Sequence, residues 1–189
     1  MVGVVALTMG MGVALAQAPA SQPAARPPAA QGLTLTSPAF EDGGIIPNRY
    51  TGADPSPVSP KLMWTNVPAA TVSFALVFHD PDVAIQKKVD DVLHGMWFNI
   101  PGEARELPEG LPATPTLADG TVQAKNLRGA PGYMGPGAGA AGPYHHYTFE
   151  LFALDIKLDL TPDATRADVL KAIDGHIVGK AVLMGRFHR

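Results

Sequence analysis

Cysteine is missing from all 189 residues, which excludes disulfides, an acylated cysteine within this stretch, thiolate zinc sites and a cysteine nucleophile. Charge is scarce too. Asp, Glu, Lys and Arg make up 16% of the chain and sum to −3, so there is no basic footprint for nucleic acid or for an anionic membrane surface. The apolar run over residues 1–16 falls short of the ~20 residues a membrane-spanning helix needs. No internal repeat is present. What is abundant is apolar content, 46% of the chain, and punctuation, with 20 Gly and 19 Pro. That balance reads as one ordinary soluble domain with a full-sized core.

Organisation follows from composition. Residues 1–16 are small and apolar, with Ala14-x-Ala16 and Ala16-x-Ala18 behind them, and read as a secretory signal peptide cleaved near 16–18, although no basic residue precedes the run. A periplasmic or secreted protein with no transmembrane span in the mature chain is therefore expected. Residues 17–32 hold Pro19, Pro23, Pro27 and Pro28 among alanines and are expected to form a disordered linker. The domain should run over 33–189. Short β-forming runs at 33–35, 73–78, 96–100, 147–154 and 181–187, separated by Gly and Pro, predict an antiparallel β-sandwich. One segment departs from this. Thr165-x-x-Asp168 followed by Val169, Leu170 and Ile173 has a capping signature and helical spacing, which predicts a short helix over 165–174.

Strand alternation sorts the chemically interesting side chains. Along 145–151, His145 and Tyr147 share a face with Phe149 and Leu151, while His146, Thr148 and Glu150 point the other way. The same rule places His94 on the side of Met96 and Phe98. Asp80 falls just past the strand at 73–78, in an Asp80-Pro81-Asp82 turn. In the glycine-rich stretch 129–142, Gly135, Gly137, Gly139 and Gly142 leave backbone free to approach a ligand, and their amides could form an anion-binding nest. Two imidazoles, a phenol and glycine amides suit a phosphate or carboxylate, with Asp80 holding one imidazole in position.

These residues resemble the phosphatidylethanolamine-binding protein family, in its bacterial Raf kinase inhibitor-like branch, over nearly all of 33–189. The resemblance is carried by Ser37-Pro38-Ala39-Phe40, Ile46-Pro47, Tyr50-Thr51, Ser59-Pro60-Lys61-Leu62, Trp64 and Asp80-Pro81-Asp82. It continues with His94, Asn99-Ile100-Pro101, Tyr133-x-Gly135-Pro136, His145-x-Tyr147 and Gly175-His176. It implies a mainly β sandwich with a small surface cavity for phosphate-like groups. Carried over by position, Asp80, His94, His145 and Tyr147 line it, Gly135, Pro136 and Gly137 supply the loop, and Asp82 supports. Three departures stand out. Val83-Ala84 follow the Asp-Pro-Asp where Ala-Pro is usual, Ala138-Gly139 replace a proline pair, and His146 replaces an arginine. The last removes a permanent positive charge, and the lost prolines raise the loop's unfolded-state entropy.

The expected function is an exported binding protein for a small anion or a phosphorylated headgroup, with a possible protein partner to modulate, no cofactor, no metal and no catalysis. Other classes stay open. Asp80, His94 or His145 could serve a hydrolase or esterase as acid-base groups, though no Gly-x-Ser-x-Gly nucleophile elbow is present. Asp80, His94 and His145 could form a two-histidine, one-carboxylate metal set, but no helical His-x-x-x-His accompanies them. A purely protein-interaction inhibitor acting through 129–142 is the remaining alternative.

Overall fold

The computed structural model describes residue 3, residues 32–84 and residues 89–189. The expected signal peptide and nearly all of the expected linker lie outside the described residues.

Two antiparallel sheets enclose the main core. Strands β1 (Thr34–Thr36), β2 (Leu62–Thr65) and β5 (Glu106–Leu107) form the small sheet in the order β1-β2-β5. The large sheet has the order β6-β4-β3-β7-β8, from β3 (Ser73–Asp80), β4 (Val92–Pro101), β6 (Val122–Gln123), β7 (His145–Leu154) and β8 (Ile177–Phe187). Its central strand explains the packing. Every residue of β3 is buried, because its two faces serve two cores. Phe74, Leu76 and Phe78 meet Leu35, Leu62, Trp64 and Leu107 of the small sheet. Ala75 and Val77 face the other way, toward Met96, Phe98, Phe152 and the helix α1 (Arg166–Ile173).

Helix α1 forms where its capping signature lies. The Thr165 side chain accepts from the Asp168 amide, and the Asp168 carboxylate accepts from the Thr165 amide at 2.9 Å, satisfying two amides that the first turn leaves without helical partners. Val169 and Ile173 are buried, whereas Leu170 is exposed. Positions 169 and 173 stack on one face of the helix, and 170 is turned about 100° away from it. Among the described residues no helix is long and apolar enough to cross a membrane.

One local feature reverses an expectation. The β3–β4 pairing runs Phe78 opposite Gly95 and then His79 opposite Leu93, so His94 is the extra residue of a β-bulge. Met96 and Phe98 point toward α1, but the bulge turns His94 to the opposite face, where its ring lies 5.3 Å from Phe78 and 5.2 Å from Tyr147 between centroids. Simple alternation from Met96 placed it on the wrong side. Gly95 is required beside it, because a Cβ there would overlap the Trp97 ring.

Candidate functional site

Four segments distant in the chain converge at one end of the large sheet. Asp80 ends β3, His94 occupies the β4 bulge, His145 and Tyr147 open β7, and the segment leading to β7 crosses in front of them. Together they line a cavity of about 370 Å³, with Leu127, Arg128, Met134, Gly135, Gly137, Ala138 and Gly139 completing its wall and Val83 and Val92 at its edge.

Each polar group is held by a defined partner. Asp80 is 3% exposed; its Oδ2 accepts from His145 Nδ1 at 2.8 Å and its Oδ1 from the Asp82 amide at 3.0 Å. The carboxylate thus fixes the His145 tautomer, with Nδ1 protonated and Nε2 left for a ligand. His94 is tied to Met134 twice. Its carbonyl accepts from the Met134 amide, and its Nδ1 donates to the Met134 carbonyl, both at 2.8 Å. A carbonyl only accepts, so His94 also carries its proton on Nδ1 and presents Nε2 as an acceptor. Burial pushes the His94 pKa down; the Met134 bond and the Asp80 charge oppose this, and Arg128 and His79 add to it. Burial thus favours the neutral ring over the imidazolium.

Tyr147 is completely buried, and its hydroxyl oxygen accepts from the amides of Gly137 at 3.2 Å and Ala138 at 3.0 Å. Burial, with a contribution from the Asp80 charge, pushes its pKa up to about 12. These contacts change the picture of the glycine loop. The Gly137 amide, one of the glycine amides expected to form a free anion nest, is engaged by the phenol together with the Ala138 amide, and the phenol anchors the loop. Gly135 serves packing, since a Cβ there would come within 3.0 Å of the Thr51 carbonyl carbon and 3.2 Å of the Gly52 amide nitrogen. Gly137 has open space where its Cβ would be, so it borders the cavity without being squeezed.

The remaining expected site residues sit behind the wall. The Pro136 carbonyl accepts from the Gly52 amide at 2.7 Å, and Pro136 does not line the cavity. Asp82 accepts from the His146 amide at 2.6 Å and from its Nδ1 at 3.0 Å, joining the two loops outside the cavity. His146 is partly exposed and belongs to that clip. Glu150 also points away, pairing with Lys180 at 2.7 Å and facing His79. Alternation along β7 was thus a sound guide.

Arg128 is the residue that sequence reasoning missed. It stands immediately before the glycine-rich stretch, and that adjacency was the signal available. Among the described residues, the lining set contains no Ser, Thr or Cys for His145 to activate, and no group of three His, Asp or Glu side chains converges to hold a metal ion.

Comparison with known proteins places this chain in a family. The sequence profile of the family described as phosphatidylethanolamine-binding protein matches residues 36–188. The chain belongs to the phosphatidylethanolamine-binding protein family. A UPF0098 protein of Methanothermobacter thermautotrophicus is 41% identical over 157 residues, covering 83% of this chain and 99% of its own. A Mycobacterium tuberculosis protein named as a lipoprotein, LppC, is 36% identical over 85% of this chain and 74% of its own. A crystal structure from Chlamydia trachomatis, described as a phosphatidylethanolamine-binding protein homologue, superposes with a TM-score of 0.72 at 31% identity, covering 84% of this chain and 98% of that one. Family membership and the mainly antiparallel β fold with one short helix accord with the expectations drawn from sequence.

Proposed function

We propose that this member of the phosphatidylethanolamine-binding protein family is a non-enzymatic binding protein whose cavity holds a small anion or a phosphorylated headgroup. The observation that carries the reading is the convergence of Asp80, His94, His145 and Tyr147 with Arg128 around one open cavity of about 370 Å³, a size suited to a small ligand. A protonated phosphate oxygen can donate to a neutral imidazole nitrogen, and a charged oxygen can accept from the same nitrogen once the ring is protonated. Binding an anion raises the pKa of a facing imidazole. At fixed ligand charge, affinity should therefore fall as pH rises through the imidazole range, since linkage makes proton uptake and anion binding reciprocal.

Titration calorimetry with inorganic phosphate and phosphoethanolamine tests this. His94→Ala and His145→Ala should each weaken binding by about 1 to 3 kcal/mol, and His146→Ala by much less, since His146 is clipped to Asp82 outside the wall. Equal losses from all three would reduce the effect to general surface charge. No binding by the unaltered chain would make a protein-interaction role the better reading.

Export to the periplasm or cell exterior is part of the proposal, supported by the apolar residues 1–16 with their Ala-x-Ala sites and by the relative named as a lipoprotein. N-terminal sequencing of the protein from its own host should find Met1 absent; an intact Met1 on a cytoplasmic product would remove this part.

A further inference from the structure

We infer that Arg128 sets the charge class of the ligand, favouring a dianionic phosphate monoester over a singly charged carboxylate or phosphodiester. The inference rests on the anion-binding reading above and adds what that reading leaves open. Among the described lining residues, Arg128 is the sole side chain with a permanent positive charge.

Four donors of the cavity are already committed. The Gly137 and Ala138 amides point at the Tyr147 oxygen, His145 Nδ1 at Asp80 and His94 Nδ1 at the Met134 carbonyl. With Arg128 removed, the cavity would keep no permanent positive charge, and the Asp80 carboxylate repels an anion. Attraction to a guanidinium scales with ligand charge, so at one distance a dianion gains twice what a monoanion does. Arg128 therefore discriminates by charge as well as attracting.

The backbone that carries the exposed Arg128 side chain is a fixed turn. Buried Asn126 accepts from the Arg128 amide through Oδ1 at 2.9 Å and donates through Nδ2 to the Gly132 carbonyl at 3.2 Å. Gly129, at φ 75°, closes the turn by donating to the Asn126 carbonyl at 2.9 Å; the left-handed backbone there favours glycine. No acidic side chain among the described residues pairs with Arg128, so its charge is available to a ligand. Its field already reaches His94, where it disfavours protonation. Bidentate recognition of phosphate oxygens is a property of Arg that Lys lacks.

The test titrates the full chain, Arg128→Gln and Arg128→Lys with inorganic phosphate, glycerol phosphate, dimethyl phosphate and acetate at pH 7.5. Arg128→Gln should lower affinity for the two dianions roughly 10- to 100-fold and for the two monoanions only roughly 3- to 10-fold. Arg128→Lys should retain part of the preference. Vesicles of phosphatidylcholine with and without phosphatidic acid separate a lipid-borne monoester from a free one, and in whichever arm binds, Arg128→Gln should show the same loss. NMR titration of the His94 ring gives an independent readout without ligand: its pKa should rise in Arg128→Gln because a repelling cation is gone. Phosphate affinity unchanged by Arg128→Gln, or equal losses for dianions and monoanions, overturns the inference while leaving anion binding intact. Absence of any anion binding by the unaltered chain overturns both.

Discussion

His94 spends its Nδ1 proton on a backbone carbonyl and lies in a desolvating environment, so the folded state disfavours its protonated form. Its folded pKa lies below the ordinary 6.5. As pH falls through 6.5 the unfolded chain takes up this proton first, and stability falls until the folded ring also titrates. The account predicts that denaturant midpoints drop between pH 7.5 and 5.5, above the range where carboxylates titrate, and that His94→Asn shrinks the drop; an unchanged drop in the variant would assign it elsewhere. Tyr147 has the mirror-image behaviour. Its folded pKa is pushed up from 10 to about 12, so the unfolded phenol ionises first and stability is lost as pH rises above 10. Tyr147→Phe should reduce that alkaline loss while costing about 1 to 3 kcal/mol at neutral pH, because two loop amides lose their acceptor. Denaturation of both proteins at pH 8 and 10.5 reads both effects, and a neutral-pH cost near zero would mean the loop does not depend on the phenol.

At the scale of elements, the bulge in β4 is what builds the cavity, because it turns His94 toward Tyr147 and away from the α1 side. Gly95→Ala should destabilise by about 1 to 3 kcal/mol, since its methyl must displace the Trp97 ring. Gly137→Ala, facing open space, should stay within about 0.5 kcal/mol. Thermal melts of the two variants check the contrast, and equal melting temperatures would contradict it. The bulge was not legible in the sequence, because alternation carries no mark where a residue is inserted into one strand of a pair. Strands β2, β5 and β6 were also missed: β5 and β6 have two residues each, too few for any period to register, and β2 gives only four. By contrast β3, β7, β8 and α1 were readable, since length, alternation and the Thr165–Asp168 cap each leave a local signal. Their ends differed by a few residues, as at β3, which continues to Asp80.

For the whole molecule, the decisive contacts are long-range. Asp80 and His145 bond across 65 residues of chain, and His94 and Met134 across 40. No local pattern encodes such pairings; the family resemblance supplied them for Asp80, His94, His145 and Tyr147. It did not supply Arg128, nor the engagement of the loop amides by the Tyr147 hydroxyl, both of which follow from how this loop folds over the sheet end. The central claim is that this one cavity binds a phosphate-bearing anion, and a two-dimensional amide NMR titration of the full chain with inorganic phosphate tests it most directly. Saturable shifts are predicted to concentrate at Asp80, His94, Arg128, residues 134–139, His145 and Tyr147. An absence of shifts, or weak non-saturating shifts spread over the basic residues of the surface, would contradict it.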